Sequence, residues 1–139
     1  MTKIVYDMAL MQIMNLFEKI THAKLKDCFI ENEQLFFVVQ ELELGKALGN
    51  HAINVKKLQE TLNRKIKIVE FNSDVIQFVK NVLYPLRTAN IEQQDDVLTI
   101  TPADVKTRGY IIGPKAQYLR SLEEKVKRYF PIKEIKVTQ

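Results

Sequence analysis

The sequence predicts an α+β fold, an α/β sandwich made of two tandem copies of one module, each a three-stranded sheet packed on one face by helices. Three observations predict it. The chain has 139 residues, enough for one compact domain or two small ones. Its four glycines, Gly45, Gly49, Gly109 and Gly113, fall into one pattern used twice, "GKALGNHA" and "GYIIGPKA", 64 residues apart. Stretches with apolar residues at helical spacing alternate with period-two stretches, in the same order in both halves. The halves meet at "FNSD" (71–74), which divides the chain into modules 1–72 and 73–139.

The first module opens with "VYDMALMQIMNLFEKI" (5–20), whose apolar residues recur at helical intervals. Its methionine stripe, Met8, Met11 and Met14, is expected in the core, where flexible thioethers fill gaps. Two strand-like runs follow, "AKLKDCFIE" (23–31) and "QLFFVVQ" (34–40), joined by a polar turn at "NEQ". A short apolar helix over 42–48 then runs into Gly49, and a longer amphipathic helix begins at Ala52. The alternating run "KIKIVEF" (65–71) reads as a strand with one buried face.

The second module repeats this order. "SDVIQFVKNVL" (73–83) is a helix with Ser73 or Asp74 as N-cap, and Pro85 stops it because proline cannot continue the backbone hydrogen bonding. Strands are expected at 86–93 and at "DVLTIT" (96–101), with "QQDD" as the turn between them. A helix over 104–112 leads into Gly113, another begins at Ala116, and "IKEIKV" (132–137) closes the module as a strand. At the offset of 64, Val55, Leu58 and Leu62 align with Leu119, Leu122 and Val126, and Lys56, Glu60 and Arg64 align with Arg120, Glu124 and Arg128.

Composition excludes several classes of function. A hydrophobic fraction of 46% with 27% charged residues argues for a soluble globular protein rather than a disordered one. The apolar N-terminal stretch carries Lys3, Asp7, Glu18 and Lys19, so it reads neither as a signal peptide nor as a membrane span, and a cytoplasmic monomer is expected. The single cysteine, Cys28, rules out an intramolecular disulfide and is expected to be an inert packed thiol. His22 and His51 have no nucleophile or carboxylate partner at motif spacing, and one cysteine with two histidines makes no zinc pattern. The pairs Asp95–Asp96 and Glu123–Glu124 read as solvated surface acids. No catalytic residue, metal or cofactor is expected, and the chain does not read as an enzyme.

Charge is more informative than chemistry. Residues 1–44 sum to −3, 45–71 to +4, 72–105 to −3 and 106–139 to +6, giving the net +4. Net positive charge is thus confined to the two segments that begin near the glycine motifs, as expected of two basic surfaces on otherwise acidic modules. A tight helix–turn–helix joint needs a residue that tolerates positive φ, which glycine does. The helix after such a joint presents unpaired N–H groups and its positive dipole end, where a phosphate fits. Gly45 and Gly109, one turn earlier, are expected to permit close packing of neighbouring elements. Ala52 and Ala116 are expected to open right-handed helices. Pro114 removes one donor from the second loop. His51 and Lys115 are the potential loop cations.

This arrangement, "LGNHAINVKKL" (48–58) and "IGPKAQYLRSL" (112–122), resembles the G-x-x-G loop and following basic helix of the KH domain, in the type II form with an N-terminal helix and strand before the core. Both loops depart from that signature by ending in alanine. Two such units in succession resemble the archaeal NusA-type transcription factors. The resemblance implies single-stranded RNA as ligand, RNA polymerase as a further partner and a role in transcription termination or antitermination. It implies backbone-clamping loops at Gly49, Asn50, His51 and Ala52 and at Gly113, Pro114, Lys115 and Ala116. Lys56, Lys57 and Arg120 would pair with phosphates. Asn54 would bond a base edge or cap its helix, and Tyr118 would stack on a base or be partly buried. The alternative is a protein-interaction module that docks on RNA polymerase through the methionine-rich first helix, its RNA grooves vestigial. Gly113→Asp is expected to separate the two by abolishing RNA binding with the fold intact.

Overall fold

In the computed structural model, residues 6–138 are described and the chain parts into two compact units between Asn72 and Ser73. The first unit runs α1 (Met8–Thr21), β1 (Leu25–Glu31), β2 (Gln34–Val39), α2 (Leu44–Leu48), a 3-10 turn (Asn50–Ala52), α3 (Ile53–Leu62) and β3 (Ile66–Glu70). The second runs α4 (Val75–Leu83), β4 (Thr88–Gln94), β5 (Val97–Pro102), α5 (Val105–Ile112), a 3-10 turn (Pro114–Ala116), α6 (Gln117–Lys127) and β6 (Glu134–Val137). Val5, where the periodicity starts the first helix, lies outside the described residues.

Each unit holds one three-stranded sheet of the same topology. β1 pairs antiparallel with β2 and β2 parallel with β3; β4, β5 and β6 repeat this. The parallel step needs a crossover, and the helix–loop–helix supplies it. Equivalent register pairs are Leu35 with Ile66 and Leu98 with Ile135. Both antiparallel pairs carry a register irregularity at the same place, between Leu25 and Asp27 and between Thr88 and Asn90.

The first core joins Phe17 of α1 to Cys28, Leu35, Phe37 and Val39 of the sheet and to Ala47 and Leu58 of the crossover helices. The Phe17 and Phe37 rings stack with centroids 4.4 Å apart. Truncating such a buried ring to alanine costs about 3–5 kcal/mol. Cys28 is fully buried, a packed thiol. In the second unit Phe78 meets Tyr129 edge-on at 5.4 Å and Phe130 at 5.6 Å. Leu98, Ile100, Leu122, Val126 and Ile135 are buried. The sheets differ in pattern. The continuous apolar run of β2 is buried from Leu35 to Val39, whereas β5 alternates, with Leu98 and Ile100 buried and Thr99 and Thr101 partly exposed.

Several expectations are corrected by the geometry. Of the methionine stripe only Met14 packs against the core; Met8 and Met11 are 78% and 51% exposed, because the apolar stripe of α1 that faces the sheet runs through Leu10, Ile13, Met14 and Phe17. The second hairpin turns on Asp95 and Asp96 alone, since Gln93 and Gln94 continue β4 opposite Leu98 and Val97. Asp95 takes φ 57°, a left-handed value that aspartate tolerates in turns. Glu123 is no mere surface acid: its Oε2 accepts the Ile135 N–H at 2.9 Å and ties α6 to β6. Asp74, not Ser73, caps α4, accepting the Ile76 N–H at 3.0 Å.

Candidate functional site

The two glycine loops are built on one backbone. Gly49 and Gly113 each end a helix with φ 73°, at ψ 180° and 176°. That combination is essentially confined to glycine. Two left-handed residues follow in each copy. His51 (φ 53°, ψ 33°) matches Lys115 (φ 53°, ψ 32°), and Ala52 (φ 57°, ψ 32°) matches Ala116 (φ 61°, ψ 23°). The alanines therefore do not open right-handed helices. The chain turns so sharply between α2 and α3, and between α5 and α6, that helical dihedrals resume only at Ile53 and Gln117. An L-residue in the left-handed well costs roughly 1–2 kcal/mol, so each loop is held against local preference by the elements on either side.

The helices after these loops begin without a side-chain cap. Asp7, Asp74 and Asp104 cap α1, α4 and α5 by accepting the N–H of Leu10, Ile76 and Thr107. At α3 and α6 the capping positions are Ala52 and Ala116, which have no polar side chain to offer. The hydrogen bonds from Thr107 hold the Asp104 carboxyl below the usual carboxylate range, with a smaller contribution from the Lys106 charge.

What lies across each glycine differs. In the first loop Asn54 donates from Nδ2 to the Lys46 carbonyl at 3.2 Å, and a Cβ on Gly49 would fall 2.9 Å from that nitrogen. Asn54 thus ties the start of α3 back to α2 through one of its amide N–H donors. In the second loop the same position holds Tyr118. A Cβ on Gly113 would fall 2.5 Å from Tyr118 Cγ and 3.0 Å from its Cβ, so the ring lies against the glycine. Gly113→Asp therefore cannot leave the fold untouched, because it meets both a glycine-only conformation and this ring.

Asn50, His51, Ala52, Pro114 and Lys115 are exposed at the loop tips, and Ala116 is partly exposed. Lys56, Lys57 and Arg120 are exposed on the helices that follow. Gly45 and Gly109 do not serve packing. Both are exposed, and a Cβ on either would meet nothing within 4 Å, since their helices turn this face to solvent. They leave bare backbone on the surface that leads to each loop. Sequence reasoning missed Tyr110, which is 54% exposed between Gly109 and Gly113. The available signal was its place beside Ile111, the residue of α5 that is buried. It also missed Arg108, whose Nε donates to the Thr138 carbonyl at 3.0 Å and anchors α5 beyond the end of β6.

Among the described residues no helix is long and apolar enough to cross a membrane, and no group of three or more His, Cys, Asp or Glu could hold a metal. Two like-built α+β modules, each with a strained glycine loop between two helices, make this a tandem KH-like protein. The crystal structure of APE1850 has the same fold: TM-score 0.71 at 23% identity, over 92% of this chain and 96% of that one. No family model matches the chain. Relatives speak more directly. The probable transcription termination protein NusA of Methanocaldococcus jannaschii is 30% identical over 124 residues, 87% of this chain and 68% of the relative. The protein of the same description from Halobacterium salinarum is 30% identical over 129 residues, 91% of this chain and 93% of the relative. The chain belongs to the family of archaeal NusA-type transcription termination proteins.

Proposed function

We propose that the chain acts in transcription termination or antitermination by holding the backbone of single-stranded RNA in its two loops, as a cytoplasmic partner of RNA polymerase. The observation that supports this most is the repeated pairing of a left-handed loop with an uncapped helix start, in a molecule whose other three long helices are aspartate-capped. The Ile53 and Gln117 N–H groups bond back to the Asn50 and Pro114 carbonyls, but no side chain caps the first turn beyond them, and the positive end of a helix suits a phosphate oxygen. The bare surface at Gly45 and Gly109 leaves a sugar–phosphate chain room to approach. Lys56, Lys57, Lys115 and Arg120 add charge around these starts.

Titration with single-stranded RNA at several salt concentrations, followed by residue-resolved NMR, tests the reading. Binding is expected to fall steeply with salt, as counterions released from phosphates are recovered. Shifts are expected at 49–57 and 113–121; shifts spread over the acidic segments would overturn it. The second reading, docking on the polymerase with the grooves vestigial, draws on the exposure of Met8 and Met11. It predicts that polymerase association survives Lys115→Glu and is lost on changing those methionines to glutamate.

A further inference from the structure

The two loops share a backbone, yet the surfaces beside them are chemically unlike. The first loop is flanked by Lys46 and Asn54, and the second by Tyr110 and Tyr118 at the aligned positions. Tyr118 is 49% exposed although its ring lies against Gly113. The side chain meets the glycine through its Cβ, Cγ and one ring edge, and half of the residue stays open to solvent. Its setting is fixed in advance: the residue sits in the first turn of α6, and the glycine beneath it can be no other residue. Tyr110, 54% exposed on the helix that precedes the loop, is a second exposed ring within a few residues of Gly113 in sequence. The charge of this segment selects the partner. Residues 106–139 carry nine basic and three acidic groups, with Lys106, Lys115 and Arg120 exposed within four residues of a tyrosine in sequence. An aromatic platform among cations suits a base attached to a phosphate chain.

We infer that Tyr118, seated on Gly113, is a stacking platform for one nucleobase of the RNA strand, so that the second module reads bases as planes while the first touches backbone alone. This rests on the RNA-binding reading above and adds a distinct contact to it. Stacking needs only a π-face and no particular base edge, so the platform adds affinity with little sequence preference. Asn54, the residue at the aligned position, has no aromatic ring and offers no such face in the first module.

The test compares a short oligouridylate with an oligomer of the same ribose–phosphate backbone lacking bases. Tyr118→Leu is expected to weaken the oligouridylate by roughly 5- to 100-fold and to leave the abasic oligomer unchanged. Tyr118→Phe is expected to bind both as the parent does. In the parent protein the Tyr118 ring resonances are expected to move upfield with the oligouridylate and not with the abasic strand, a readout that needs no variant to fold. Equal weakening of both oligomers by Tyr118→Leu, or unmoved ring resonances, would overturn the stacking and leave the RNA reading standing. If the parent binds neither oligomer, the RNA reading fails and the platform with it.

Discussion

Gly49 and Gly113 have the same φ and nearly the same ψ, and His51 and Ala52 match Lys115 and Ala116 in their dihedrals; what covers the glycine is an amide in one module and a phenol ring in the other. The pair separates two properties that a motif search treats as one. Backbone shape is a property of the turn, imposed by the helices and sheet around it, and it survives replacement of the final glycine by Ala52 or Ala116. Surface chemistry is a property of the side chains one turn later, and there the modules have diverged: Asn54 closes its loop on itself, while Tyr118 presents a ring.

The largest effect that would break the symmetry of the pair is Gly113→Ala. The new methyl group meets the Tyr118 ring and its Cβ in a conformation reserved for glycine, so the second module is expected to lose roughly 2–4 kcal/mol. Gly49→Ala is expected to cost less, because the amide tip of Asn54 can swing aside. Hydrogen exchange read separately in each module checks the order. Next comes charge. Lys115→Glu is expected to weaken RNA binding at all sequences alike and to lower the slope of log affinity against log salt by about one or more, with a smaller change for His51→Glu. Salt titrations of both variants decide it.

Ala116→Gly and Ala52→Gly sharpen the comparison in the opposite direction. Each relieves a left-handed alanine, and a net stabilisation of up to about 1 kcal/mol is expected after the added chain entropy of glycine, measured by denaturant unfolding. Asn54→Ala removes the bond to Lys46 and is expected to cost about 0.5 kcal/mol, the low end for an exposed hydrogen bond, with faster exchange of amides in α2 and at the start of α3. The smallest effect concerns Asp104. Its carboxyl titrates lower in the folded chain than in the unfolded one, so the stability it adds is complete above the ordinary carboxylate value near pH 4 and is lost as pH falls through the lowered value. Asp104→Asn, which still accepts the Thr107 N–H, is expected to flatten that acid dependence; unfolding curves between neutral and acidic pH would show it.

Much of this was legible in the residues, because it is local or periodic. Strand alternation, helical spacing, Pro85 after α4 and the repeat of the glycine pattern at an offset of 64 are enough to lay out two modules and to mark both loops. They also mark Lys56, Lys57, Lys115 and Arg120, which are exposed on the loops and the helices that follow. Tertiary structure decided the rest. Ala52 and Ala116 favour right-handed helix by propensity, and only the packed elements on either side force them into the left-handed well. Gly45 and Gly109 face solvent and not a neighbour, Glu123 reaches a strand N–H 12 residues away, and Tyr118 lies on Gly113; each follows from where a turn aims a side chain, which no spacing rule carries. Local preferences are set residue by residue, whereas direction across a turn is set by the whole crossover and the sheet it closes.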